Sequence, residues 1–101
     1  MSNQGVNVPK YLKSTYKMIS LAYPNGIDES KYFPLMAVLY QYMSDRNLAE
    51  VIALFTGKKL DTVLNDVYRS QSTNKPRNDE LESIKKELIP FGFEEWAEED
   101  L

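Results

Sequence analysis

Pro34-Leu-Met-Ala-Val-Leu-Tyr-Gln-Tyr-Met43 is the most apolar stretch of the chain, and the other segments are read around it. At a helical advance of about 100° per residue, Leu35, Met36, Val38, Leu39, Tyr40, Tyr42 and Met43 spread round the whole circumference. Gln41 is left as the only clearly polar position. A helix apolar on every side belongs in a core, so other elements must pack around this one. Pro34 biases Phe33 away from helical geometry. The regular helix is therefore expected to begin only at Pro34, after a single tight turn that Asp28 or Ser30 can cap.

Upstream, Asn7 can cap a helix and Pro9 suits its first turn, because the missing proline N–H would have been unpaired there anyway. A first helix is expected to run to about Ala22. Tyr11, Leu12, Thr15, Tyr16, Met18, Ile19 and Ala22 form its broad apolar face, while Lys10, Lys13 and Lys17 line the opposite side. That basic stripe reads either as an ordinary wet face or as a contact to phosphate or an acidic partner. Tyr23-Pro-Asn-Gly26 ends the helix in a tight turn.

Downstream, Ser44 is a good N-cap and Asp45 suits the positive end of a helix dipole. Leu48, Val51, Ile52 and Phe55 then recur at i, i+3, i+4 and i+7, and Gly57 sits where a left-handed C-cap is expected. After Lys58-Lys59, the residues Leu60, Val63, Leu64, Val67 and Tyr68 repeat that spacing, with Asp61, Thr62, Asn65, Asp66 and Arg69 assigned to the outer face. A polar loop from Ser70 to Arg77 leads to a fifth helix capped by Asn78 or Asp79 and buried through Leu81, Ile84, Leu88 and Ile89. Pro90 and Gly92 close it. Phe91, Phe93 and Trp96 follow, beside the acidic run that ends the chain, and are expected either to fold back on the bundle or to dock on another protein.

The 101 residues suffice for one domain with a modest core. The absence of both cysteine and histidine removes disulfides, thiolate chemistry and the residue types most used for metal binding and for acid–base work near neutral pH. No acidic cluster has the spacing of a metal loop, so neither a metal nor another cofactor is expected. No secretory leader and no run of about 18 apolar residues is found, which favours a cytoplasmic protein without a membrane span. The net charge of −3 is unevenly divided: residues 1–75 carry a net +3 and residues 76–101 a net −6.

Tyr23-Pro-Asn-Gly-Ile27, Tyr32-Phe-Pro-Leu35 and Met43-Ser-Asp45, followed by the Lys75-Pro76 loop and the ending Phe91-Gly-Phe93, resemble a known layout. It is that of a family of small all-helical bacterial proteins of unknown function, familiar from mycobacteria and other actinobacteria, in which a Tyr-Pro-x-Gly turn precedes a Tyr-x-Pro-Leu helix start. The resemblance spans about residues 20–93 and implies a compact helical bundle. It brings no catalytic residue or cofactor with it. The acidic extension containing Trp96 departs from the family's pattern.

Three functional readings compete. The first is a protein-interaction module that binds another protein or itself, with Phe93 and Trp96 as candidate anchors, since large aromatics are common at binding centres. The second is a helix-turn-helix binding nucleic acid, with helices at about 45–56 and 60–70 and Lys58, Lys59, Thr62, Asn65 and Arg69 as contacts. Asp61 and Asp66 on the same face would oppose phosphates, which disfavours it. The third is an enzyme using Asp28-Glu29, Glu94-Glu95 or Glu98-Glu99, all in turns or the tail where solvated carboxylates are the norm. The sequence thus supports an all-α bundle of about five short helices, with residues 1–7 disordered, 8–93 a single domain and 94–101 an acidic tail. It reads as non-enzymatic and of unknown biochemical role, with a protein contact favoured.

Overall fold

The computed structural model describes residues 7–99. The stretch expected to be disordered, residues 1–7, lies outside that range except for Asn7, as do the last two residues of the acidic tail. The described residues form an all-α bundle: α1 (Lys13–Ala22), α2 (Glu29–Tyr40), α3 (Asp45–Thr56), α4 (Leu60–Arg69), α5 (Asn78–Leu88) and a short α6 (Phe93–Glu98), with 3-10 turns at Lys10–Leu12 and Ile89–Phe91. None of these helices is long and apolar enough to cross a membrane.

The first helix starts one turn later than its sequence suggests. Pro9 is extended, with φ −57° and ψ 148°, and opens the 3-10 turn instead, in which the Leu12 N–H donates to the Pro9 carbonyl at 2.9 Å. At the far end the Tyr23 N–H still reaches Ile19, and Gly26, at φ 93°, completes the expected turn by donating to Tyr23.

Helix α2 differs most from expectation, because it runs straight through Pro34. Asp28 starts it from extended geometry, the Ser30 hydroxyl donates to the Asp28 carboxylate at 2.6 Å, and the Lys31 N–H closes the first turn on the Asp28 carbonyl. The hydrogen bond that Pro34 cannot make would have ended on Ser30, in an exposed turn where water can serve the carbonyl. Every residue from Pro34 to Leu39 is buried, and that burial outweighs one lost hydrogen bond. The helix also stops early: the Gln41 and Tyr42 N–H groups tighten onto Val38 and Leu39, leaving Tyr42 and Met43 half-buried in the turn to α3.

Helix α3 has the expected caps. The Ser44 hydroxyl accepts from the Asn47 N–H at 3.1 Å, and Gly57, at φ 80°, ends the helix by donating to Ala53 at 2.8 Å. The α5 cap is a correction: Arg77, not Asn78 or Asp79, holds the N-cap position, and its N–H donates to the Glu80 carboxylate at 2.8 Å. A carboxylate three residues into the helix thus does the work through its reach back to the cap.

Helix α3 packs chiefly on α4 and α2 on α5, while α1 touches α3, α5 and α6. Leu12, Ile19, Leu35, Met36, Val38, Leu39, Leu48, Val51, Ile52, Val63, Val67 and Leu88 form the fully buried centre. Two polar side chains inside it have partners: Ser70 donates to the nearby Val67 carbonyl, and Thr15 accepts from the distant Trp96. Among the described residues no buried side-chain polar atom lacks a partner.

Candidate functional site

The helix-turn-helix residues come to the surface together, but most are already engaged. Lys58 lies with its ammonium 4.3 Å from the centre of the Tyr32 ring. The Arg69 guanidinium sits 5.5 Å from the Phe33 ring centre, donates through Nε to Asn74 at 3.1 Å, and reaches Asp66 at 3.4 Å. Lys59, Thr62 and Asn65 remain exposed without such contacts, although Asp61 accepts from the Thr62 backbone N–H. Asp66 is not on the outer face. It is 7% exposed and accepts from the Tyr32 hydroxyl at 2.7 Å. Burial, then the hydrogen bond and negative charge of Asp66, push the Tyr32 hydroxyl above its ordinary titration range.

That buried carboxylate turns α4 about its axis relative to the apolar periodicity. Val63, Asp66, Val67 and Ser70 point inward, while Leu60 and Tyr68, expected in the core, are 38% and 51% exposed. Helix α4 therefore offers a mixed face, with Asp61 among the polar groups, rather than a cationic one.

Phe93 and Trp96 are both buried. Trp96 donates through Nε1 to the Thr15 hydroxyl of α1 at 2.8 Å, and Tyr42 meets the Phe93 and Trp96 rings edge-on at 5.8 and 5.5 Å. Gly92, at φ 94°, reverses the chain after the 3-10 turn so that α6 can lie against α1. Its apolar pair faces the bundle and Glu94, Glu95 and Glu98 face out. In this arrangement neither aromatic offers a surface to a partner.

Two of the accessible apolar groups lie beside them. Leu21 is 49% exposed on α1 and Phe91 39% exposed on the 3-10 turn, and both line a depression of about 230 Å³ shared with Ser14, Lys17 and Glu95. On the other flank of α1 a shallow groove of about 540 Å³ is lined by Val8, Lys13, Tyr16, Lys17, Ser20 and Leu21. Lys17 and Leu21, four residues apart, line both concavities and form the ridge between them. Tyr16 is braced from behind by the edge of Phe55 on α3. Lys10, Lys13 and Lys17 make no ion pair among the described residues. Leu21 belongs to neither the lysine side nor the apolar side into which the amphipathic pattern divides α1. The signal was present as a large apolar residue spaced i+4 from Lys17.

A third polar cluster ties helices together. Glu87 of α5 accepts from Lys31 Nζ and from the Tyr23 hydroxyl, each at 2.8 Å, and Lys31 also lies 5.9 Å from the Tyr23 ring centre. Burial works to raise the Glu87 carboxyl, but the bonds from Lys31 and Tyr23 outweigh it and hold the group below the usual carboxylate range. The cluster joins α2 and α5 to the end of α1. Among the described residues no group of three or more acidic side chains is placed to hold a metal ion.

Residues 10–97 match the model of a family described as a protein of unknown function, DUF3349. No curated protein and no solved structure matches the chain. The match covers most of the sequence and includes α6 up to Ala97. The chain belongs to this family.

Proposed function

We propose that this member of a family of unknown function is a small non-catalytic interaction module that binds another protein through the exposed face of α1. Leu21 and Phe91 carry the reading. Both are partly exposed and line the same depression, and Leu21 also borders the groove on the other flank of α1. Large apolar groups gathered at a concave surface are what a partner's side chains bury, whereas scattered ones are ordinary. The absence of histidine and cysteine supports a binding role over a catalytic one.

The helix-turn-helix reading has weaker support, because Lys58 and Arg69 are committed to contacts with Tyr32, Phe33, Asn74 and Asp66. The test is capture from cell extract by the immobilised chain, compared with a Leu21→Ser/Phe91→Ser variant. Both residues are exposed enough for the variant to stay folded, checked by its thermal midpoint. Loss of the captured protein is expected; equal capture by the variant would remove the α1 face from consideration.

A further inference from the structure

We infer that the groove lined by Val8 and the Lys13–Leu21 face of α1 receives an acidic amphipathic helix of a partner protein. The inference rests on the α1 docking reading and adds the chemistry of the occupant. Three observations carry it.

The first is charge. Lys13 and Lys17 border the groove and make no ion pair among the described residues, while Val8, Tyr16 and Leu21 supply its apolar lining. A cationic edge over an apolar floor selects a ligand that has carboxylates beside large apolar side chains.

The second is shape. The groove is concave and about 540 Å³ in volume, whereas insertion into a lipid surface calls for an apolar face that projects outward. Two or three lysines are also a small electrostatic footprint for an anionic bilayer, at roughly 1 kcal/mol each.

The third is that α1 already binds such an element on its other flank. Helix α6 lays Phe93 and Trp96 against the bundle and turns Glu94, Glu95 and Glu98 outward, with Glu95 and Lys17 lining the same depression. Lys17 and Leu21 therefore have an acidic amphipathic helix on one side and, among the described residues, an open groove with a lysine edge and an apolar floor on the other. Lys17 lines both concavities, and among the described residues it makes no ion pair with the α6 carboxylates. Two carboxylates on this end of the molecule have hydroxyl partners: Glu50 accepts from Tyr11 at 2.8 Å and Glu99 from Ser14 at 3.3 Å.

The test uses the full chain and two labelled synthetic helical peptides, read by fluorescence anisotropy. One carries leucines at i, i+4 and i+7 with glutamates between them, and its twin has every glutamate replaced by glutamine. The acidic peptide is expected to bind at least about 10-fold more tightly than the twin, to weaken as salt is raised, and to lose roughly 10-fold on Lys13→Glu/Lys17→Glu. Both lysines are exposed, so an unchanged thermal midpoint separates lost binding from lost folding. Equal binding of the two peptides would overturn the acidic occupant while leaving the α1 docking face standing. Binding of neither peptide, or binding only to phosphatidylserine vesicles, would also overturn it, and the Leu21→Ser/Phe91→Ser capture result would then judge the docking face by itself.

Discussion

Replacing Trp96 by alanine asks whether the C-terminal segment is part of the fold. The indole is 3% exposed, packs on Tyr42 and Phe93 at ring distances of 5.5 and 6.0 Å, and donates to Thr15 at 2.8 Å. Truncating a buried aromatic costs about 3–5 kcal/mol in lost transfer energy and residual cavity. The loss cannot exceed the docking energy of α6, however, because a six-residue terminal helix can detach and leave the other five packed. The lower end, about 3 kcal/mol, is therefore expected. At about 4–8 °C per kcal/mol for a domain of this size, the thermal midpoint should fall by some 12–24 °C. Trp96→Phe keeps most of the apolar volume and loses the bond to Thr15, so it should cost only about 1–2 kcal/mol. Urea denaturation followed by circular dichroism measures both. A loss below about 0.5 kcal/mol for Trp96→Ala, typical of an exposed position, would refute the buried assignment and restore a free, dockable tail.

Leu39→Ala, in the middle of α2 and fully buried, should lose about 2–5 kcal/mol by the same urea assay, and a near-unchanged midpoint would contradict a central α2. Gly57→Ala meets no atom within 4 Å but must adopt φ 80°, so a loss of about 1 kcal/mol is expected, from backbone strain alone. Glu87 has a depressed carboxyl pKa, so the stability it contributes is fully present above its unfolded value near 4.5 and is lost as pH falls through the lower folded value. Glu87→Gln should accordingly be less stable than the parent at pH 7 and approach it below about pH 4; a gap that stays constant from pH 7 to pH 3 would show that the ionised form is not favoured.

Where the sequence carried a local mechanism, it was sufficient. Ser44, the apolar spacing from Leu48 to Phe55 and Gly57 each name a position on a helix, and α3 has those limits. It misled where a tertiary contact overrode local preference. Pro34 argued for a late helix start, yet the burial of the surrounding run holds the turn before it in helical form. Asp66 argued for an outer face, yet Tyr32, distant in sequence, supplies the hydrogen bond that brings it inside and rotates α4. No periodicity can report a partner that lies 34 positions away. The same limit applies to the proposed docking face: Leu21 falls outside the amphipathic pattern of α1, and only the fold brings it and Phe91 into one depression.

The docking claim meets its most direct test in the amide spectrum of isotope-labelled full-length protein, titrated at low salt first with the acidic helical peptide and then with a mixed-sequence DNA duplex. Shifts confined to the amides of residues 13–21 and those near Phe91, appearing with the peptide and fading as salt rises, are the expected result. Shifts centred instead on Lys59, Thr62 and Asn65 when the duplex is added, with α1 unmoved by the peptide, would contradict it and return the α3–α4 pair to the centre of the protein's function.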